Sequence, residues 1–167
     1  MKKRLAILGA TGSIGTQALQ VVDAHPDKFE IEILSAHSNS KLLIEQAIKY
    51  QPNAVVVTDS NQYTVVKSAL ENSKLNKVDK ISVLLGDSKV IPKEKFDIVI
   101  ANINRNILLD QVSDYSNALT NGGVLLISGF YEGEDLEILK TNAESAGFQF
   151  LDNKTRDRWV AARFIRQ

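Results

Sequence analysis

The chain has 167 residues, 44% of them hydrophobic and 24% charged, a composition that builds a buried core and excludes a disordered polymer. Its 20 basic and 20 acidic side chains cancel, which argues against a dedicated nucleic-acid binder, whose affinity rests on neutralising phosphates. There is no cysteine and the only histidines are His25 and His37, so disulfides, thiolate metal sites, a cysteine nucleophile and a histidine-rich metal centre are excluded, and no apolar run approaches the roughly 20 residues of a membrane span.

Met1-Lys2-Lys3-Arg4 has the charge of a signal-peptide start, but the apolar run that follows, Leu5 to Leu8, is too short for one. A cytoplasmic protein with no membrane partner is expected. That first run reads as a strand. It leads into Gly9-Ala10-Thr11-Gly12-Ser13-Ile14-Gly15, then into a helical period on Ile14, Ala18 and Val21. Further apolar runs at Ile31 to Leu34, Ala54 to Val57, Ile81 to Leu85, Ile98 to Ala101 and Val124 to Ile127 read as strands buried on both faces. Helical periods separate them: Leu43, Ala47 and Tyr50; Tyr63, Val66 and Leu70; Leu108, Val112, Tyr115 and Leu119; Leu136, Leu139, Ala143 and Ala146. The link between the Ile81 and Ile98 runs contains Pro92 and reads as irregular or a single helical turn. Gly147 fits a helix C-cap. Phe148 to Leu151 and Arg158 to Ile165 then read as two strands joined by the polar turn Asp152-Asn153-Lys154-Thr155, which requires antiparallel pairing.

Strand–helix alternation implies right-handed crossovers and a mostly parallel sheet with helices on both faces. The expected architecture is a single α/β domain over 1–167: three layers, Rossmann-like and doubly wound, with a C-terminal antiparallel hairpin. The expected strand order is 4-3-2-1-5-6-8-7, with strand seven antiparallel to its neighbours.

The strongest chemical signal is the glycine stretch. It follows a strand and opens a helix, the context in which backbone N–H groups and a helix N-terminus receive a pyrophosphate. The competing reading is a tight turn with glycines for packing. After the second strand, where NAD-binding folds place an acidic residue on the ribose, stand His37, Ser38 and Asn39. No carboxylate there repels a 2′-phosphate, although Asn39 serves equally as a helix N-cap and His37 as an exposed loop residue. Asp59 and Asp87 follow strands at the edge where ligands bind open α/β sheets, with capping as the alternative, favoured for Asp59. Asn102 to Asn106 could line a polar pocket, with Arg105 alternatively a solvated loop residue, and Trp159 is expected to pack on the hairpin. No Ser-His-Asp arrangement or carboxylate pair at metal-ligand spacing is visible, so neither catalytic nor metal-binding residues are assigned.

Residues Lys3 to Thr16, His25-Pro26-Asp27-Lys28-Phe29, Leu43 to Ala47 and Pro52 to Val57 resemble the NADPH-binding domain of 1-deoxy-D-xylulose 5-phosphate reductoisomerase over residues 1 to about 70. That resemblance implies Thr11, Gly12, Ser13 and Ile14 as cofactor contacts, together with Asn39, while His37 and Ser38 depart from the Gly and basic residue of the family. Glu71 to Asn76, Leu85-Gly86-Asp87, Phe96 to Leu108, Leu126 to Phe130, Ala146 to Phe148 and Arg158 to Ala161 resemble the C-terminal catalytic domain of ribosomal protein L11 methyltransferase over about 71 to 167. This second resemblance implies S-adenosylmethionine chemistry, with Asp87 near the adenine and Asn102 near the methyl-transfer site.

Neither family's complete set of features is matched. The reductoisomerase's metal-binding carboxylates are not found, and Leu8-Gly9-Ala10-Thr11 stands where the methyltransferase carries its own loop after an acidic residue. The expectation is an engineered chimera that binds NADP(H) weakly through Gly9, Thr11, Gly12, Ser13, Ile14 and Gly15, with His37, Ser38, Asn39, Asp87 and Asn102 as further cofactor residues and no complete active site. The alternatives are an S-adenosylmethionine-binding methyltransferase-like domain and a structural protein that binds no ligand. The partner expected is at most a small-molecule dinucleotide, with no nucleic acid.

Overall fold

The computed structural model describes residues 1–73, 81–93 and 95–167. The chain divides into two compact units, Met1–Val90 and Ile91–Gln167, a division later in the chain than the change of resemblance near residue 70. The resemblance block beginning at Glu71 lies partly outside the described residues.

The first unit contains β1 (Lys3–Leu8), α1 (Ser13–Ala24), β2 (Phe29–Ala36), α2 (Ser40–Tyr50), β3 (Ala54–Val57), α3 (Ser60–Ser73), β4 (Ser82–Leu85) and a 3-10 turn over Ser88–Val90. Its strands lie in the order β4-β3-β2-β1, and every pair is parallel. Leu5 to Leu8, Ile31 to Ala36 and Ala54 to Val57 are buried throughout, as the apolar runs of β1 and β3 require, and in β2 the buried stretch includes the polar Glu32 and Ser35. The register aligns Ala36 with Val57 and Val57 with Leu85. The loops after these strands therefore share one edge.

The second unit contains β5 (Phe96–Asn102), α4 (Arg105–Ala118), β6 (Leu119–Tyr131), α5 (Glu134–Ser145), β7 (Phe148–Arg156) and β8 (Trp159–Arg166). Its order is β5-β6-β8-β7; β5 and β6 are parallel, whereas β8 is antiparallel to both neighbours. The fold is the expected Rossmann-like, doubly wound α/β type with a C-terminal hairpin, and the strand order within each unit is the expected one. Among the described residues no helix is long and apolar enough to cross a membrane.

Four local expectations are corrected. The strand that reverses direction is β8: β7 follows a crossover through α5, and the hairpin then inserts β8 beside β6. The buried face of α1 is Gly15, Leu19 and Val22, one residue on from the expected stripe, and Val21 is 52% exposed. The runs in β4, β5 and β6 are not buried on both faces. Leu85 is 46% exposed because β4 pairs only with β3, and in β5 and β6 the buried Val99, Ala101, Leu125 and Ile127 alternate with half-buried Ile98, Ile100, Val124 and Leu126. Finally, Asp152 to Thr155 are strand, and the hairpin turns at Asp157 and Arg158, with φ of 51° and 66°. Arg163 holds Asp152 across the strands through two hydrogen bonds of 3.1 and 2.6 Å. Polar residues there mark a solvent-exposed edge strand, not a turn.

Candidate functional site

The glycine loop connects β1 to α1 at the carboxyl edge of the first unit's strands. Gly9 has φ 76°, a left-handed conformation that suits a residue without Cβ. Its N–H donates to Ser35 Oγ at 3.2 Å, and the Ala10 N–H donates to the Ser35 carbonyl at 2.8 Å. Gly12 N–H closes the turn onto the Gly9 carbonyl at 3.0 Å. Gly15 is where helix and loop meet. A Cβ there would lie 2.4 Å from the Gly9 carbonyl oxygen and 2.6 Å from Ala10 Cα, both backbone atoms. The two glycines thus bring the start of α1 directly against the loop.

The opening of α1 differs from the other helix starts. Asn39 Oδ1 accepts from Leu42 N–H at 3.2 Å to cap α2, Asp59 Oδ1 accepts from Asn61 N–H at 2.9 Å before α3, and Asn104 Oδ1 accepts from Asn106 N–H at 2.9 Å to cap α4. α5 carries Glu134, Asp135 and Glu137 in its first turn. At α1 the N-cap is Gly12, no side chain caps the helix, and its first turn has no acidic residue. The N–H groups of Ser13, Ile14 and Gly15 have no acceptor within the helix, and the positive end of the helix dipole is left uncompensated. This is the electrostatic setting of an anion site.

The other expected cofactor residues of the first unit are placed as follows. His37, Ser38 and Asn39 are exposed immediately after β2. His37 Nδ1 is 2.8 Å from Thr58 Oγ1, and Asn39 uses its side-chain oxygen as the cap of α2, so only its amide NH2 is left to donate. Asp87 Oδ1 accepts from Lys89 N–H at 2.9 Å, closing the 3-10 turn. Thus Asp59 and Asp87 both perform capping duty. In the second unit, Asn102 ends β5 opposite Ser128. Arg105, expected as a solvated loop residue, begins α4 and pairs with Asp135 at 2.5 Å, while Asn106 Oδ1 accepts from the same guanidinium. That ion pair, with the Tyr131 N–H second, holds the Asp135 carboxyl below its ordinary range. Trp159, expected to be packed, is 49% exposed and lies against Tyr131 with ring centroids 4.4 Å apart.

Two residues of the site were not singled out in the sequence. Ser35 anchors the loop from β2, and Gln46 on α2 donates from Nε2 to the Ala10 carbonyl at 3.0 Å. A signal for Gln46 existed: it lies between Leu43 and Ala47 on the buried stripe of its helix, where a polar residue is out of place. A cleft of about 350 Å³ in the same unit involves Lys2, Phe29, Glu30, Lys49 and Tyr50. It lies at the amino ends of β1 and β2, the opposite edge from the glycine loop. Among the described residues no group of three or more His, Cys, Asp or Glu could hold a metal ion.

Comparison with known proteins finds two families. The chain is 43% identical over 103 residues to a 1-deoxy-D-xylulose 5-phosphate reductoisomerase of Phocaeicola vulgatus, covering 62% of this chain and 26% of the relative. It is 38% identical over 135 residues to a ribosomal protein L11 methyltransferase of Porphyromonas gingivalis, covering 80% of this chain and 46% of the relative. The chain therefore spans about a quarter to a half of these curated relatives. A solved DOX-P reductoisomerase in complex with NADPH, fosmidomycin and magnesium superposes with a TM-score of 0.64 at 25% identity, over 87% of this chain and 35% of that one. A ribosomal protein L11 methylase from Lactobacillus delbrueckii subsp. bulgaricus superposes with a TM-score of 0.58 at 21% identity, over 100% of this chain and 71% of that one, and shares the fold. Both expected resemblances are thereby found, but they overlap along the chain instead of abutting near residue 70, since the methyltransferase match covers 80% of the chain. The model of the 1-deoxy-D-xylulose 5-phosphate reductoisomerase family matches residues 5–116, most of the chain and all of the glycine loop, and on that match the chain belongs to this family.

Proposed function

We propose that this chain binds a nicotinamide dinucleotide, NADP(H) in preference to NAD(H), with the pyrophosphate on the amides of Thr11 and of Ser13 to Gly15. The observation that carries the reading is the open, uncapped and carboxylate-free start of α1 behind the Gly9 turn. The choice of cofactor is supported by a related reductoisomerase that has been solved in complex with NADPH. His37, Ser38 and the Asn39 amide are the groups available to a 2′-phosphate. None is a fixed cation, so affinity is weak and the preference over NAD(H) small. S-adenosylmethionine is the second candidate because of the methyltransferase matches, but it carries no phosphate for this loop, and no carboxylate lies between Leu5 and Thr16 to meet its amino group.

The role proposed is binding without turnover. The magnesium of the related reductoisomerase has no cluster of ligands here among the described residues. We read the chain as an engineered recombinant of two half-sheets, supported by the two families it matches; an uninterrupted natural gene encoding it would overturn that origin. Cytoplasmic placement is part of the same reading.

Thermal melting with NADPH, NADH and S-adenosylmethionine tests the cofactor. At about 100 times its dissociation constant a ligand adds roughly 2.7 kcal/mol, so NADPH should give the largest shift. Gly12→Asp places a side chain and a like charge at the pyrophosphate and should abolish that shift. A larger shift with S-adenosylmethionine, or an NADPH shift unaffected by Gly12→Asp, would sink the reading. NADPH oxidation with the sugar phosphate and methyl transfer to the ribosomal protein should both remain at background; turnover in either overturns the binding-only role.

A further inference from the structure

We propose that Gln46 is a positioning residue that sets the polarity of the glycine loop, turning its Ala10 carbonyl away so that the loop presents N–H groups to an anion. The inference rests on the cofactor reading above for its ligand, but the clamp itself stands on the geometry of the free protein.

Gln46 is only 6% exposed and belongs to α2, far from the loop in sequence. Its Nε2 donates to the Ala10 carbonyl at 3.0 Å. The orientation of the amide is forced, because the reverse would set two oxygens against each other. Ala10 is itself fully buried and is held from β2 by Ser35, while its Cα and carbonyl carbon form the wall against which Gly15 packs. The peptide between Ala10 and Thr11 is therefore fixed at its carbonyl end by Gln46, and its N–H is directed by the same planar unit. A carbonyl turned toward the start of α1 would repel a phosphate; one tied to α2 cannot do so.

The second observation is the other end of the side chain. Gln46 Oε1 is buried without a hydrogen-bond partner among the described residues. An amide serving the fold alone would be poorly chosen here, since a leucine or methionine fills such a position without leaving a buried acceptor unsatisfied. The polar group is explained by its one bond to the loop. Two consequences separate positioning from mere structure. Replacing Gln46 by an apolar residue of similar length removes the orphaned Oε1 but takes the donor from the Ala10 carbonyl, exchanging one unpaired acceptor for another, so stability changes little while loop order and affinity fall. Replacing it by glutamate substitutes an acceptor for the donor at pH 8 and restores a donor when the carboxyl is protonated.

The test uses Gln46→Met and Gln46→Glu in the full chain, with NADPH as the probe. Loss of one such bond should weaken NADPH by roughly five- to tenfold in Gln46→Met, with the melting temperature of the free protein nearly unchanged. In the free protein, exchange of the Gly12 N–H followed by NMR should accelerate by a similar factor. For Gln46→Glu, the affinity relative to wild type at the same pH should be low at pH 8 and recover toward unity near pH 5. Unchanged Gly12 exchange in Gln46→Met overturns the clamp, as does a Gln46→Glu ratio that stays flat with pH. If the wild-type chain takes no NADPH at all, the cofactor reading falls, and the exchange comparison alone decides whether Gln46 orders the loop.

Discussion

Gly15 shows how a single absent methyl group can decide a site. Gly15→Ala would drive Cβ to 2.4 Å from the Gly9 carbonyl oxygen, and backbone on both sides leaves no flexible side chain to yield. Overpacking of this kind costs about 1–3 kcal/mol, which for a chain of this size lowers the melting temperature by roughly 2–4 °C per kcal/mol. Because the displaced atoms belong to the loop, the NADPH shift should be lost with it. Gly122→Ala supplies the contrast: its Cβ would meet nothing within 4 Å, although φ is 73°. It should cost about 1 kcal/mol and leave any NADPH shift intact. Calorimetric melts of the two variants, with and without NADPH, check both outcomes.

At the same scale, Asp23 near the end of α1 accepts from Lys49 Nζ at 2.6 Å and Tyr50 OH at 2.9 Å, both on α2. The Lys49 hydrogen bond, ahead of the opposing effect of burial, holds the Asp23 carboxyl below its ordinary value. The bond to Asp23 in turn raises the Lys49 ammonium. A carboxyl lowered by folding contributes stability that is present above its unfolded value near 4 and is lost as pH falls through the folded one. A raised ammonium contributes stability present below its unfolded value and lost as pH rises through the folded one. The pair therefore supports the tie between α1 and α2 across the neutral range. Asp23→Asn should flatten the dependence of the urea midpoint on pH below about 4; an acid limb as steep as that of wild type would show that the tie carries nothing.

Whole elements are read most reliably where burial is two-sided. β1 and β3 were legible because a strand covered on both faces is expected to be apolar throughout, as Leu5 to Leu8 and Ala54 to Val57 are. The α1 stripe was misplaced by one residue because Gly15 carries no hydrophobic signal, yet makes the closest contact of the helix. The loop before α1, proposed above as the anion site, was visible in its glycines. Ser35 was not, since long-range polar anchoring leaves no pattern in the local sequence, and Gln46 showed only as a polar residue on the buried stripe of α2. The hairpin was misread for a related reason. Residues Leu151 to Trp159 are all exposed, so their polarity reports solvent and not chain reversal. The true turn holds two non-glycine residues at positive φ, Asp157 at 51° and Arg158 at 66°, where type I′ turns favour Asn-Gly. The double change Asp157→Asn with Arg158→Gly should therefore stabilise the protein by about 1 kcal/mol. A melting temperature that fails to rise would show that these residues hold the turn without strain.

For the whole molecule the question is whether two matched families make one cooperative structure. Each unit has an apolar strand at one end of its strand order. In the first unit β1 ends the order β4-β3-β2-β1, so a fragment ending at Val90 carries the apolar run Leu5 to Leu8 on a terminal strand. In the second unit β5 begins the order β5-β6-β8-β7, so a fragment beginning at Ile91 carries the apolar Phe96, Val99 and Ala101 on a terminal strand. Such edges recruit other chains and aggregate. At the other end of each unit's order, β4 is short and half-exposed and β7 is polar from Asp152 to Arg156. The full chain is therefore expected to unfold in one transition, with calorimetric and van't Hoff enthalpies equal, and fragments 1–90 and 91–167 should be insoluble when expressed alone. Two resolved transitions, or a soluble and cooperatively melting 91–167 fragment, would show instead that each unit folds on its own.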